Sequence, residues 1–304
     1  MKQTMRLGAI LLAAMVPLTA CGDDSGDATS APTGRSSASV APTGAAPSPS
    51  PTVPELAITG VDYGFQVSGS PIAGLTKISF SNAGKEEHMT GLGKIKTGKT
   101  LADVQAALKS NEEAAFEGVF DEAEGDKDAP QVLSPGYAAS TYTTLTEGTY
   151  ALICFIPAPD GKSHYEKGMI TELKVGAAAG PAAPAPAPTA ELSFKAGKLT
   201  GPATLPAGRT VFKVTTDANH ELLGVVGLDG KTPQQGLDYF EAKFEGKAPA
   251  GPPQGALVLQ LHDFEPADSI LVEMDLTPGQ VMFVCQLENE GQPKHTEKLV
   301  ITVA

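Results

Sequence analysis

Gly148–Met169 reads GTYALICFIPAPDGKSHYEKGM and carries one cysteine, one histidine and one methionine in the order Cys154-x9-His164-x4-Met169. The short apolar run before Cys154 reads as a buried strand. A thiolate, an imidazole and a thioether delivered from one loop suit a copper ion that alternates between Cu(I) and Cu(II), because soft sulfur favours the reduced ion and imidazole accepts both. Such a site needs one more ligand, ordinarily a histidine from elsewhere in the chain. His88, within SNAGKEEHM (Ser81–Met89), is the candidate.

Outward from this stretch the chain repeats itself. At a constant spacing of 131 residues and without a gap, Leu145–Thr171 lies over Leu276–Thr302, pairing Gly148 with Gly279, Cys154 with Cys285, His164 with His295, Glu166 with Glu297 and Lys167 with Lys298. Upstream, at a spacing of 132, His88 lies over His220, and each is followed by Gly-Lys-Thr (Gly98–Thr100 and Gly230–Thr232). Two copies of one fold are therefore expected. The chain has three cysteines and five histidines, and apart from Cys21 and His262 all of them fall into these matched slots.

Short runs rich in β-branched and aromatic residues, bounded by Gly, Pro and Asn, read as strands: Lys77–Phe80, Tyr150–Cys154, Met169–Val175, Thr210–Val214, Ala256–Leu261, Ser269–Met274, Val281–Cys285 and Lys298–Val303. Each copy has one short helix signal, Thr100-Leu-Ala-Asp103 as a capping-box variant and Thr232-Pro-Gln-Gln235 with proline at the first helical position. The fold class expected is all-β, a tandem pair of antiparallel sandwiches with one inserted helix each.

Lys2 and Arg6, the apolar Leu7–Pro17 and the tetrapeptide Leu18-Thr19-Ala20-Cys21 read as a secretory signal over residues 1–21, too short in its apolar part to span a bilayer. The tetrapeptide resembles a bacterial lipobox, which implies cleavage before Cys21, a lipid on its sulfur, and an extracytoplasmic protein held at the outer face of the cell membrane. Residues 22–54 are a Ser/Pro/Ala tether, 55–176 the first globular piece, 177–189 (AAAGPAAPAPAPT) a semi-rigid linker, and 190–304 the second piece. The net charge is −13, or −15 without Lys2 and Arg6, so nucleic acid is not an expected partner. Gly93–Thr100 formally matches a phosphate-binding loop, but there is no alternation of strand and helix around it and Val225 replaces the first glycine in the second copy, so no nucleotide is expected.

Asn82-Ala83-Gly84 followed by His88, and Gly148-Thr149-Tyr150 followed by Cys154, His164 and Gly168-Met169, resemble the two ligand blocks of the cupredoxin (blue copper) family. The resemblance implies Greek-key sandwiches with a mononuclear copper near one end of the first, in a plane of His88, Cys154 and His164 with Met169 as axial ligand, and single-electron exchange with a redox protein partner. In the second copy it implies a weaker or vestigial plane of His220, Cys285 and His295, with Val300 where the first has Met169. The x9 gap is longer than in small electron carriers. Oxidase and nitrite reductase centres need histidine beside the cysteine, whereas Ile153, Phe155, Val284 and Gln286 stand there. An electron carrier rather than an enzyme is expected. The alternatives are a metal-free envelope binding or scaffold module, in which Cys154 and Cys285 are small buried core residues, and copper capture or delivery by the same ligands.

Overall fold

Strict alternation of buried and exposed positions produces strands where one face of the chain is apolar. Gly74–Asn82 is an instance, burying Thr76, Ile78, Phe80 and Asn82 on one side. The computed structural model describes residues 52–110, 117–121, 129–217, 220–244, 247, 250–264, 269–287 and 295–304. The signal region, Cys21 and most of the expected tether lie outside these. Among the described residues no helix is long and apolar enough to cross a membrane.

The first lobe contains β1 (Glu55–Val61), β2 (Gly64–Ser68), β3 (Gly74–Asn82), β4 (His88–Met89), β5 (Gly91–Lys94), α1 (Leu101–Ser110), β6 (Val132–Leu133), β7 (Ala138–Leu145), β8 (Gly148–Ile153), a 3-10 turn (His164–Lys167) and β9 (Ile170–Val175). The second contains β10 (Ala190–Lys195), β11 (Lys198–Thr200), β12 (Thr204–Leu205), β13 (Gly208–Thr216), β14 (His220–Gly227), α2 (Pro233–Phe244), β15 (Gly255–Phe264), β16 (Ser269–Leu276), β17 (Gly279–Leu287) and β18 (His295–Val303). Both lie within the single compact unit Pro49–Ala304.

The two lobes share one eight-stranded sheet, in the order β11-β10-β13-β16-β7-β3-β1-β2. Against it pack β5-β8-β9 of the first lobe and β12-β18-β17-β14-β15 of the second, so that Phe80, Tyr150 and Leu152 on one side and Phe212, Phe283 and Ile301 on the other enclose one apolar core. The sheet is mixed rather than antiparallel throughout. β1 runs parallel to β3 (Glu55 opposite Lys77) and β10 parallel to β13 (Ala190 opposite Phe212), because each first strand forms a hairpin with the short strand on its outer edge and leaves its inner edge to the next long strand. The identical arrangement in both lobes extends the repeat to strands whose sequences no longer resemble each other.

The lobes meet where β7 pairs with β16, its counterpart in the repeat. Tyr142 lies opposite Leu271, Thr141 opposite Val272 and Ser140 opposite Glu273. Since 141 and 272 differ by the repeat spacing of 131, Thr141 faces its own equivalent. The junction is thus a two-fold-like, self-complementary edge pairing of the kind that joins identical subunits. Glu273 holds it together. One carboxylate oxygen accepts from Lys77 Nζ of β3 at 2.8 Å, and the other from Tyr142 Oη of β7 and from the Arg209 guanidinium, each at 2.6 Å.

Both helix signals materialise as capped helices. Thr100 and Asp103 exchange N–H···O bonds at 2.8 and 3.3 Å, and Thr232 and Gln235 do the same at 2.9 and 3.3 Å. α1 buries Val104 and Ala107 against Ile95, Phe120 and Ile153. α2 lays Leu237, Tyr239 and Phe240 on Val225, Leu257 and Met282. It comes so close that a Cβ on Gly236 would stand 2.7 Å from the Val226 carbonyl oxygen.

Candidate metal centre

His88 occupies a two-residue strand opposite Leu133 of β6. The loop leading to it is tied by the buried Asn82, whose side-chain amide donates to the Glu86 and Leu133 carbonyls at 2.8 Å each, while its carbonyl oxygen accepts from Gly84 N–H at 2.9 Å. The His88 ring and the Asp62 carboxylate also crowd the side of Gly84 where a side chain would stand. A Cβ there would meet Asp62 Oδ1 at 2.5 Å and His88 Cδ2 at 2.9 Å. Gly84→Ala should therefore push the ring off its partner, lowering metal affinity by roughly the 10–100-fold that follows loss of an outer ligand partner while the protein still folds. A chelator competition titration measures it.

Cys154 follows directly on β8, with its N–H donating to the Met169 carbonyl at 3.1 Å. His164 opens the 3-10 turn, where Ser163 and Glu166 form a reciprocal capping box and Gly168 closes the far end. The backbone N–H of Met169 donates to the His164 carbonyl at 2.9 Å. The turn thus folds the ten residues after Cys154 back on themselves, and the long loop brings His164 and Met169 to the same strand end as the cysteine. Cys154, His88, His164 and Met169 all have zero solvent exposure, so any group they hold is screened from water.

The donor atoms converge. His88 Nδ1 lies 3.1 Å from His164 Nδ1, and Cys154 Sγ lies 3.4 Å from His164 Nδ1. Among the described residues these three form a group whose ligand atoms all lie within 4.8 Å of one another. The far nitrogen of each ring meets a carboxylate: His88 Nε2 is 3.1 Å from Asp62 Oδ1, and His164 Nε2 is 3.0 Å from Glu86 Oε2. A carboxylate accepts only, so each Nε2 carries the proton and each Nδ1 turns a bare lone pair inward. Two such lone pairs at 3.1 Å repel unless a cation or a proton stands between them. Spacings of 3.1 and 3.4 Å are those of ligands about 2 Å from one shared ion, so the residues present fit a soft transition metal.

The electrostatics agree. Burial, with the neighbouring His164 ring, holds His88 below the ordinary imidazole range despite its Asp62 partner, so it is a neutral ligand at neutral pH. Burial pushes the Cys154 thiol up to about 11, against the Met89 and Ile156 backbone N–H groups that favour the thiolate. An ion binding there must displace that proton. Tyr63 stands edge-on to His164, ring centroids 5.0 Å apart, and donates its hydroxyl to Glu86 Oε1 at 2.8 Å, with Lys167 Nζ 4.4 Å from the Tyr63 ring centroid.

The second lobe differs. Cys285 lies inside β17, paired on one side with Leu222 and on the other with Glu297, and is buried in the apolar core. Burial, then Glu297, Asp217 and Glu221, pushes its thiol up to about 12. His220 and His295 open β14 and β18, and His262 lies on β15; the side chains of all three fall outside the described ones. The ladder also corrects the ungapped alignment. β8 pairs with β9 as Ile153 opposite Ile170, whereas β17 pairs with β18 as Val284 opposite Lys298, so the last strand repeats at a spacing of 128 and not 131. In that register Met169 corresponds to Glu297 and not to Val300. Val300 is 43% exposed on the outer face.

Sequence reasoning passed over Asp62, Tyr63 and Glu86, and took Asn82 and Gly84 only as marks of the first ligand block. Glu86 stood in the quoted stretch beside His88, but nothing distinguished it there from its neighbour Glu87.

No family model matches the sequence, and no curated protein matches it. Solved structures do resemble it. An auracyanin from Roseiflexus castenholzii, in its dithionite-reduced form, is 17% identical over 41% of this chain and 99% of its own, with a TM-score of 0.28. Auracyanin A from Chloroflexus aurantiacus, a blue copper protein, is 12% identical over 38% of this chain and 96% of its own, with a TM-score of 0.26. A copper-containing nitrite reductase from Thermus scotoductus is 11% identical over 83% of this chain and 61% of its own, with a TM-score of 0.22. Scores this low leave the functional reading to the donor set.

Proposed function

We propose that the first lobe is a cupredoxin-like Greek-key sandwich in which His88, Cys154 and His164 would hold one copper ion, with Met169 as a fourth candidate ligand, and that the protein carries electrons one at a time. The observation that carries this is the convergence of two imidazole nitrogens and one sulfur, all within 4.8 Å of one another, on three fully buried residues. Copper, when bound, supplies a one-electron couple. The chain's own residues hold the ligands in one arrangement for both oxidation states: Asp62 and Glu86 orient the rings, Asn82 braces the loop, and the buried walls exclude water. Without histidine beside Cys154 nothing extends the site toward oxidase or nitrite reductase chemistry, so an enzyme is not proposed. The second lobe is proposed as a related sandwich whose residues His220, Cys285 and His295 bind copper weakly or not at all.

We further propose that the chain is a lipoprotein, anchored through Cys21 to the outer face of a bacterial cell membrane and exchanging electrons with a redox protein. The support is the signal-like start and the tether composition.

Protein-film voltammetry of the copper-loaded chain tests the carrier function. One reversible one-electron wave is expected. Tight Cu(I) retention with no reversible wave would instead favour capture and delivery. Glu86→Gln, which removes the charge but keeps an acceptor, should lower Cu(II) affinity about 10–100-fold and move the wave to higher potential, since the less basic His164 stabilises the oxidised ion less.

A further inference from the structure

The residues that fasten the Cys154 sulfur in place are themselves fastened by the second lobe. Met89 N–H donates to Cys154 Sγ at 3.4 Å, and the Ile156 N–H also bonds to the sulfur. Ile156 is tied a second time, its carbonyl accepting the His164 N–H at 2.8 Å. The side chains of Met89 and Ile156 reach the second lobe. Both pack against the cluster that holds Leu237, Tyr239 and Phe240 of α2 together with Leu257, Met282 and Val284.

The strand opposite His88 is bound to the same lobe. Gln131 N–H donates to the Gln260 carbonyl at 2.8 Å, Ser134 N–H to the Leu257 carbonyl at 2.9 Å, and Leu257 N–H to Ser134 Oγ at 2.9 Å, so the residues on either side of β6 are bound to β15. Val132 of β6, opposite Met89, is buried in the α2 cluster. Glu87, next to His88, pairs with Lys243 near the end of α2. Gly236 lets the helix sit low enough on β14 and β15 to reach all of these.

We propose that the second lobe is the outer wall of the first lobe's metal centre: α2 and β15 hold Met89, Ile156 and β6 in the positions that aim Cys154 and His88 at the ion. It rests on the reading of His88, Cys154 and His164 as the metal site. Anything that stabilises the ligand arrangement stabilises the seat of α2, and by linkage the reverse holds to the same degree. Tyr239 and Phe240 are thus positioning residues for a site they do not touch, and the second lobe has a use that does not require it to bind metal.

The test uses the chain from Gly22 to Ala304 and compares Phe240→Ala, in the wall, with Leu192→Ala, a core truncation of the second lobe on β10 away from it. In the metal-free protein, alkylation of Cys154 followed by peptide mapping should run about 10-fold faster in Phe240→Ala than in Leu192→Ala, since local opening governs access to a buried thiol. In the wild type, Cu(II) should slow amide hydrogen exchange at Leu237–Lys243, and Phe240→Ala should shift the thiolate-to-copper band while Leu192→Ala leaves it in place. Equal alkylation rates in the two variants, or copper loading that leaves α2 exchange unchanged, would overturn the proposal. A wild type that takes up no copper, with the alkylation difference intact, would remove the copper reading and still support the wall.

Discussion

Cys154→Ser should leave a folded protein with no thiolate-to-copper band. The side chain is fully buried, and a hydroxyl in its place can still accept from Met89 N–H, so the stability loss should be about 1 kcal/mol, the size of one altered hydrogen bond. The metal loses far more. Loss of an outer ligand partner alone costs about 10–100-fold in affinity, and removing the one soft anionic donor should exceed that range. Cu(I) should suffer most, since sulfur is what favours it. Thermal melting and a copper titration on the same sample separate the two effects. Cys285→Ser serves as the counterpart: with Leu222 and Glu297 as its strand neighbours and no ligand group described around it, its replacement should leave the copper spectrum unchanged.

The second large effect is expected at the lobe junction. Glu273→Ala removes the acceptor of Lys77, Tyr142 and Arg209 at once and leaves the half-buried Lys77 ammonium without its nearest partner. The expected loss is about 3 kcal/mol, the lower end of what breaking a buried ion pair costs. Acid should produce a milder version of the same loss. Burial alone would raise the Glu273 pKa, but the hydrogen bonds from Arg209, Lys77 and Tyr142 outweigh it and bring the carboxyl from 4.5 down to about 2. Because the folded-state value is the lower one, the stabilisation is complete above about pH 4.5 and disappears as the pH falls toward 2. After solvent screening at the sheet surface it should amount to about 2 kcal/mol. Denaturant melts of wild type and Glu273→Ala between pH 2 and 6 should converge at the acid end. Parallel curves across that range would show that Glu273 does not bridge the lobes.

What was legible in the sequence was legible because it is rare. With three cysteines and five histidines in 304 residues, Cys154, His164 and His88 could be picked out by type, and the fold brings those three together. Acidic residues number 35, so Asp62 and Glu86 carried no such signal, although they fix which nitrogen of each ring faces the ion. The capped starts of α1 and α2 were readable because a capping box is local chemistry at fixed spacing. The parallel pairing of β1 with β3 and the β7–β16 seam were not, because hydrogen-bond register between distant strands leaves no mark in either strand's composition. The three-residue shift of β18 relative to β9 was not legible either, because similar residues stay in line in the sequence while the ladder register changes.

The most direct test of the account is the visible absorption and electron paramagnetic resonance spectrum of the chain from Gly22 onward after addition of one equivalent of Cu(II). The account predicts an intense thiolate-to-copper band with the narrow copper hyperfine splitting of a Cys/His site, saturating at one ion per chain. A colourless sample whose resonance shows only weakly held surface copper would contradict it and leave His88, Cys154 and His164 as a buried polar cluster without a metal.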